Sequence, residues 1–377
     1  MKSQKNRTAI LLVIFLVLQF LVISLAREKN FTRLCETKSM LVVNDIFPGP
    51  EIRVRKGDTV YINVHNQGSY GITIHWHGIL QLRNPWSDGP EYITQCPIQP
   101  GTNFTYKVLL STEEGTSLHS ASWYSGDLKE RVDEAMEEGT SLPRSDAYTI
   151  NGQPGDLYAC SKETTYRRKV DYGKTYLLRI VNANIDSTLF FAVAQHNLTV
   201  VGLDGSYIKP IYTTYMLISP GQTMDVLLKA DQVLGRYYMA GRHFSSDNAK
   251  VSEIGPISVT SIMEYNANYT HPTSPLFPKT IPMYKDSAAA LNFTCQIKSL
   301  ASPKHPINVP LDNDITTRMF VTASMNSLYC EDSGFLSCVE TPVATSVNNI
   351  SWVNPRSTDL LQAYYRFSQT LSLYSLC

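Results

Sequence analysis

The sequence has no excess of charge of either sign and no tract of basic residues. Lysine and arginine together number 33, aspartate and glutamate together number 33, and the formal net charge at pH 7 is zero. Nothing in the sequence therefore predicts binding to nucleic acid. Cysteine is also scarce, with seven residues and no C-x-x-C pair, so neither a zinc site nor a dithiol redox centre is predicted.

Long hydrophobic runs are scarce as well. Only residues 9–25 approach the length that spans a membrane, and basic residues precede them. Ser24-Leu25-Ala26 follows the small-x-small pattern of a cleavage site, which predicts a signal peptide over residues 1–26. A membrane anchor is the alternative, but the charged residues after Ala26 favour cleavage. We expect the processed chain to be exported without a membrane segment.

An exported chain is expected to carry disulfides and glycans. Its cysteines lie in an oxidising context, and their odd number leaves one thiol over, for which Cys377 is the candidate. Six Asn-x-Ser/Thr sequons after the signal predict glycans at the surface. They are Asn30, Asn103, Asn197, Asn268, Asn292 and Asn349.

Short strands separated by turns dominate the rest of the sequence. Its 22 tyrosines and many Val, Ile and Thr residues, punctuated by Gly, Pro, Asn and Asp, favour β-sandwiches over helical or α/β folds. Residues 127–138 are the exception, because Asp127 and Glu130 form a capping-box pattern before an amphipathic segment. The acidic residues of that helix predict a solvated face. Strands are predicted over residues 39–43, 51–54, 59–64, 105–110, 176–180, 199–201 and 225–228.

A His-x-His motif follows one further alternating stretch. Residues 70–74 are predicted as a strand, and His75-Trp76-His77 continues it. In a strand, residues two apart share a face, so His75 and His77 are expected side by side with Trp76 on the other face. Two neighbouring imidazoles predict half of a copper site, since imidazole suits that metal.

The sequence around this motif closely resembles the first cupredoxin domain of plant laccases, the multicopper oxidases of the cell wall. The resemblance covers most of the chain after the signal and implies an all-β fold. Tandem cupredoxin-like, Greek-key β-sandwich domains are then expected. The matching stretches include Phe47-Pro48-Gly49-Pro50, Ile74-His75-Trp76-His77-Gly78-Ile79, Trp86-Ser87-Asp88-Gly89-Pro90, Tyr148-Thr149-Ile150-Asn151-Gly152 and Ser219-Pro220-Gly221-Gln222.

Five segments are predicted along the chain. Trp123-Tyr124 resembles a family segment about forty residues further on, so a block including the last strands of the first domain is predicted to be missing near 122–123. Loss of these strands is expected to expose a sheet edge. The last segment is short, which predicts an incomplete third domain. The segments are the signal peptide (1–26), a first cupredoxin-like domain (27–145), a second (146–268), a proline-containing linker (269–306) and a partial third (307–377).

The resemblance implies a laccase-type reaction. Phenols or monolignols lose one electron at a time to a copper held by a cysteine and two histidines, and O2 becomes water at a trinuclear cluster held by eight histidines. Four copper ions are then the expected cofactor, and phenolic small molecules and O2 the expected partners. The implied setting is the apoplast or cell wall, with a role in lignin degradation or polymerisation and in detoxification of lignin-derived products.

The candidate site residues follow from the same resemblance. His75 and His77 match the first histidine pair of the cluster. His119 stands where the second pair is expected, as a remaining ligand or as a surface histidine. Asp88 resembles an aspartate that assists proton delivery, and its alternative is a simple turn residue. His196 matches a family histidine that binds no copper, so a packed, hydrogen-bonded role is expected.

The remaining copper motifs have no counterpart in the sequence. The family's ligand set needs at least ten histidines and a cysteine, whereas this sequence holds eight histidines in all. The chain is therefore expected to lack the electron-entry copper and most of the cluster, and its oxidase activity is expected to be impaired. The alternative is a non-catalytic, cupredoxin-like, secreted cell-wall glycoprotein, or the product of a damaged gene.

Overall fold

A computed structural model gives the architecture of most of the chain. Within the described residues, contacts form two compact units. The first consists of the described residues within 1–31, 39–116 and 354–377, and the second of those within 32–38 and 117–353. No helix in this described part is long and apolar enough to span a membrane. The structure describes residues 21–55, 57–109, 118–138, 145–185, 187–245, 258–267, 274–307, 315–327, 343–353, 355 and 358–366.

A four-stranded sheet forms the base of the first unit. Its strands are β1 (Leu21–Arg33), β2 (Glu36–Val43), β3 (Thr59–Asn66) and β4 (Asn103–Leu109). They lie in the order β2-β1-β3-β4, and β3 and β4 are antiparallel. Strict alternation in β3 turns Val60, Ile62 and Val64 into the core, where they pack with Tyr106 and Val108. The predicted strands 39–43 and 59–64 are confirmed, and the strand predicted over 105–110 is confirmed as far as residue 109, since residue 110 lies outside the described residues.

Two strand predictions in this unit are wrong. Residues 51–54 form no strand, and both apolar side chains there, Ile52 and Val54, are exposed. Without a buried face the segment has no packing to hold it in a sheet. Residues 70–74 form no continuous strand either, because only Ile72 pairs, in an isolated bridge to Ile98.

The start of β1 coincides with the end of the predicted signal peptide. Residues 21–26 pair in parallel with residues 61–66 of β3, and Ser24 and Ala26 are buried. Cleavage after Ala26 would remove this pairing and leave β3 with an open edge. The cleavage site stays a prediction.

Two sheets packed face to face form the second unit. The strands are β5 (Leu118–Trp123), β6 (Ala147–Ile150), β7 (Arg167–Val170), β8 (Thr175–Asn182), β9 (Thr188–Val193), β10 (Leu198–Leu203), β11 (Ser206–Thr213), β12 (Met216–Ile218), β13 (Thr223–Lys229), β14 (Arg236–Phe244) and β15 (Ser258–Tyr265). One sheet has the order β11-β10-β13-β8-β5-β6 and the other β12-β9-β14-β15-β7. Leu178 and Val226 of the first meet Phe191 and Met239 of the second in one core. The all-β prediction is confirmed, as are the strands predicted at 176–180, 199–201 and 225–228.

The described residues also form three short α-helices, α1 (Leu128–Glu138), α2 (Ser287–Thr294) and α3 (Leu360–Arg366). The first begins as predicted, because Asp127 Oδ1 accepts hydrogen bonds from the backbone N–H groups of Lys129 (2.7 Å) and Glu130 (3.3 Å). Asp286 caps α2 in the same way. α3 belongs to the first unit, although it lies last in the sequence.

The region predicted as a partial third domain, residues 307–377, contributes an antiparallel pair of strands and α3 within its described residues. Its strands are β16 (Ala323–Ser327) and β17 (Val343–Val347), with Ala323 opposite Val347. A two-stranded hairpin is marginal by itself and needs further packing to be stable. The domain boundaries stay predictions.

The described cysteines are in different states. Cys35 and Cys160 form a disulfide across 125 residues of sequence, within the second unit. Cys96 is also disulfide-bonded. Cys295 is free and exposed. Cys377, the predicted leftover thiol, lies outside the described residues.

Candidate metal centre

His75 and His77 lie side by side, as the sequence predicts, although they are not in a strand. Both rings are exposed and their centroids are 5.7 Å apart. Trp76 points the other way and packs edge-on against Tyr106, at a centroid distance of 5.5 Å. The Tyr106 hydroxyl accepts a hydrogen bond from the backbone N–H of Ile74 (2.9 Å). The packing of Trp76 and the hydrogen bond of Ile74 thus hold the pair at the surface without the ladder hydrogen bonds of a strand.

The His75 ring is oriented by the backbone of Asp88. Its Nδ1 lies 2.8 Å from the Asp88 carbonyl oxygen. Because a carbonyl only accepts, Nδ1 must carry the proton, and the lone pair of the neutral ring is then on Nε2. Fixing one imidazole nitrogen by a hydrogen bond is the usual way that a protein prepares the other as a metal ligand. The Asp88 carboxylate Oδ1 is 3.6 Å from the same Nδ1.

The close approach of the Asp88 turn depends on Gly89. Its φ is +97°, and a Cβ there would lie 1.8 Å from the carbonyl oxygen of Ile74. No L side chain fits at that distance. Gly101 has a comparable φ of +78° with open space around it. Gly89 is therefore needed for both its conformation and its missing side chain.

The residues present fit part of a copper site. Two imidazoles on one surface, one with a fixed tautomer, are suitable ligands for copper. Within the described part of the chain, however, no group of three or more His, Cys, Asp or Glu side chains is arranged to hold a metal ion. Among the described residues, His75 and His77 are the pair that the sequence predicts as copper ligands, and that role stays a prediction.

His119 lies on β5 in the second unit and is half-buried. Burial lowers the pKa of its imidazole. The predicted deletion point at 122–123 falls within this same strand, which pairs with β6 on one side and β8 on the other. The open edge expected at that point does not form. A ligand role for His119 stays a prediction.

His196 has the packed role that the sequence predicts. It is 2% exposed, its Nδ1 lies 2.7 Å from the Ala194 carbonyl, and its Nε2 lies 2.8 Å from the Tyr265 hydroxyl. Burial lowers the pKa of this imidazole. His196 is thus a hydrogen-bonded core residue.

Most predicted glycosylation sites are accessible. Five of the six asparagines are exposed, and Asn268 lies outside the described residues. The exposed ones are Asn30, Asn103, Asn197, Asn292 and Asn349. Attachment of glycans to them stays a prediction.

Sequence reasoning missed the groups that position the histidine pair. The Asp88 carbonyl bonds to the His75 ring, and the Tyr106 hydroxyl bonds to the Ile74 N–H. Gly89, without a side chain, lets the turn approach the Ile74 carbonyl. Asp-Gly is a recognisable turn signal, but it does not reveal which backbone the turn approaches. Tyr106 gives no signal beyond a buried strand position.

Known proteins identify the family. Two family models, both described as multicopper oxidase, match residues 26–133 and 114–268. Putative laccase-9 of Oryza sativa subsp. japonica is 43% identical, over 90% of this chain and 66% of its own length. Laccase-13 of Arabidopsis thaliana is 36% identical, over 91% of this chain and 67% of its own. This chain is a member of the multicopper oxidase family. It spans 66% of the length of the rice relative.

Solved multicopper oxidases share the fold. A crystal structure of the laccase from Botrytis aclada matches with a TM-score of 0.60 and 26% identity, over 69% of this chain and 55% of that chain. A mutant of the same laccase matches with a TM-score of 0.71 and 22% identity, over 93% of this chain and 67% of that chain. The cupredoxin-like, all-β architecture expected from the resemblance is confirmed, and the family implies copper as cofactor.

Proposed function

We propose that this chain derives from a laccase-type multicopper oxidase and retains a copper half-site at His75 and His77. In such an enzyme, phenols or monolignols are oxidised one electron at a time and O2 is reduced to water. The support is the identity to plant laccases and the geometry of the pair, above all the hydrogen bond between His75 Nδ1 and the Asp88 carbonyl.

Each residue of the half-site has a distinct task. The Nε2 atom of His75 and the ring of His77 hold the metal, and bound copper supplies one-electron redox chemistry. The Asp88 carbonyl fixes the tautomer of His75, and the Asp88 carboxylate, with Oδ1 3.6 Å from His75 Nδ1, is the candidate group for proton delivery. A ligand role for His119 is a separate prediction from the sequence.

We infer that residues 1–377 by themselves do not support the oxidase reaction. Eight histidines fall short of the ten that the family's ligand set needs. We expect copper-loaded chain to show no intense blue absorption at about 600 nm, where thiolate-to-copper charge transfer is usual. It should also consume no O2 with a phenol beyond the rate given by free copper. A strong blue band or copper-dependent phenol oxidation would contradict the impairment.

The chain is proposed to be secreted to the apoplast or cell wall and glycosylated. The signal pattern and the exposed sequon asparagines support this. Expression in plant cells followed by glycosidase treatment is the test. We expect the chain in the extracellular fraction with a mobility shift on treatment, and cytosolic, unshifted chain would refute the proposal.

A non-catalytic, cupredoxin-like, secreted glycoprotein is the second candidate function. It is favoured by the lack, among the described side chains, of a metal-ligating group larger than a pair. The two candidates differ in copper uptake. A chain that binds copper no better than a variant without His75 and His77 would favour the non-catalytic role.

A further inference from the structure

The segment that orients His75, residues 88–95, is held together by its own hydrogen bonds; we call it the Asp88 loop. The Gly89 N–H donates to Thr94 Oγ1 at 3.1 Å. The backbone N–H groups of Ile93 and Thr94 donate to the Pro90 carbonyl at 3.2 and 3.0 Å. The Thr94 hydroxyl therefore connects the far side of the loop to the peptide group that follows Asp88.

One residue of the Asp88 loop adopts an unfavourable conformation. Tyr92 has a φ of +58°, in the left-handed region that bulky residues rarely occupy. Its N–H donates to the Gln95 carbonyl at 2.8 Å, within the loop. Such a conformation persists only where surrounding contacts determine it. The loop therefore needs support from outside.

The start of α3 supplies that support. The Leu360 N–H donates to the Tyr92 carbonyl at 3.0 Å, and the Leu361 N–H donates to the Ile93 carbonyl at 2.9 Å. The first N–H groups of a helix have no acceptor within the helix, so these two are available for the loop. The next one, of Gln362, donates to the carboxylate of Asp359 at 2.8 Å. Asp359 is fully buried, which fixes the helix start in place.

A ring contact supports the same placement of α3. Tyr365 lies 5.6 Å from Trp86, centroid to centroid. Trp86 belongs to a 3₁₀ turn, Pro85–Ser87, that leads into Asp88. The helix thus contacts the chain on both sides of Asp88, and all of these residues belong to the first unit.

We propose that α3 positions the His75 imidazole through the Asp88 loop. The peptide groups of Leu360 and Leu361 hold the carbonyls of residues 92 and 93. The Thr94 hydroxyl holds Gly89, and the Asp88 carbonyl then fixes the proton on His75 Nδ1. The relevance of this to copper rests on the proposed function, but the positioning of the ring is independent of metal.

A proline substitution isolates the hydrogen bond between the helix and the loop. Leu360→Pro removes the N–H that reaches Tyr92, and proline is well tolerated at the first position of a helix. Leu360→Ala is the matched control, because it removes the same side chain but keeps the N–H. The first readout is the tautomer of His75 in metal-free full-length chain, from ¹⁵N NMR of the ring. The second is the affinity for copper ion alone.

We expect the wild type and Leu360→Ala to hold His75 in the Nδ1–H form. Leu360→Pro should move it towards the tautomer mixture of an unconstrained imidazole and weaken copper binding several-fold. Thr94→Val removes the hydroxyl that bonds to Gly89 and should shift the His75 tautomer as Leu360→Pro does, without a change in α3. Thr94→Ser keeps a hydroxyl and should show the wild-type tautomer. The two Thr94 variants test the same proposal if Leu360→Pro does not fold.

The two proposals fail in different ways. If the wild-type chain binds copper no better than a variant lacking His75 and His77, the copper half-site is refuted. The positioning role of α3 is still tested in that case, by the His75 tautomer in metal-free chain. The positioning role is overturned if Leu360→Pro matches Leu360→Ala in the His75 tautomer, or if Thr94→Val leaves that tautomer unchanged.

Discussion

Two histidines in this chain make the same kind of hydrogen bond at Nδ1 and differ in the surroundings of Nε2. In both His75 and His196, Nδ1 lies within hydrogen-bonding distance of a backbone carbonyl, at 2.8 and 2.7 Å. The difference lies at Nε2. In His196 the Tyr265 hydroxyl reaches Nε2 at 2.8 Å and the ring is buried, whereas the His75 ring is exposed beside His77.

The partner of Nε2 therefore decides what each histidine can do. The Tyr265 hydroxyl accepts the backbone N–H of Gln232 at 3.0 Å, which leaves its own proton for His196. The lone pair of that imidazole is thereby used within the core. Burial also raises the pKa of Tyr265 to about 12, so the hydroxyl keeps the proton that it donates. A metal-binding histidine uses one ring nitrogen in a hydrogen bond and keeps the other for the metal, whereas a structural histidine such as His196 uses both in hydrogen bonds.

Removal of the buried histidine should have the largest effect on stability. His196→Ala leaves a cavity among Tyr237 and Tyr265 and removes hydrogen bonds, which should lower the free energy of unfolding by about 3 kcal/mol. Urea denaturation measures this. His305→Ala, at an exposed position, should change it by less than about 0.5 kcal/mol. Equal effects of the two substitutions would contradict the structural role.

Two glycines test whether the Asp88 turn must approach residue 74 closely. Both Gly89→Ala and Gly101→Ala place a side chain at positive φ, but only the first meets a backbone atom. We expect Gly89→Ala to cost about 2 kcal/mol more than the control, through displacement of the turn. Its copper affinity should also fall, because the Asp88 carbonyl moves away from His75. Matching denaturation curves for the two variants would refute the close approach.

A smaller effect is expected on the pH dependence of the unfolding free energy, through the imidazoles of His196 and His119. Burial lowers the pKa of both His196 and His119 in the folded chain. Below the ordinary histidine pKa of about 6.5, the unfolded chain takes up protons that the folded chain does not. Stability contributed by the neutral rings is therefore complete above that pH and is lost as the pH falls below it. His196→Phe should weaken this pH dependence of the unfolding free energy, and an unchanged slope would argue against it.

The sequence predicts the features that depend on local pattern. Alternation identifies β3, the Asp127 cap identifies α1, and the spacing of His75 and His77 places them on one face. Each of these signals lies within a few residues. Sequence alone could therefore find the ligand pair and the all-β class.

The predictions that fail depend on contacts that are remote in the sequence. Residues 51–54 have strand-like composition, but their apolar side chains are exposed. In residues 70–74, the Ile74 N–H donates to the Tyr106 hydroxyl and only Ile72 pairs with another segment, Ile98. The hydrogen bonds of α3 to Tyr92 and Ile93 use backbone atoms only, so no residue type marks them. Backbone contacts of this kind become visible only in three dimensions.

The proposed copper half-site consists of His75 and His77. Titration of the full chain with copper ion, compared with a His75→Ala, His77→Ala double variant, tests it most directly. We expect weak, solvent-labile uptake by the wild type, since neither full coordination nor a closed shell holds the ion, and its loss in the double variant. Trp76→Phe, altered on the packed side, should keep the uptake. Equal uptake by the wild type and the double variant would contradict the account.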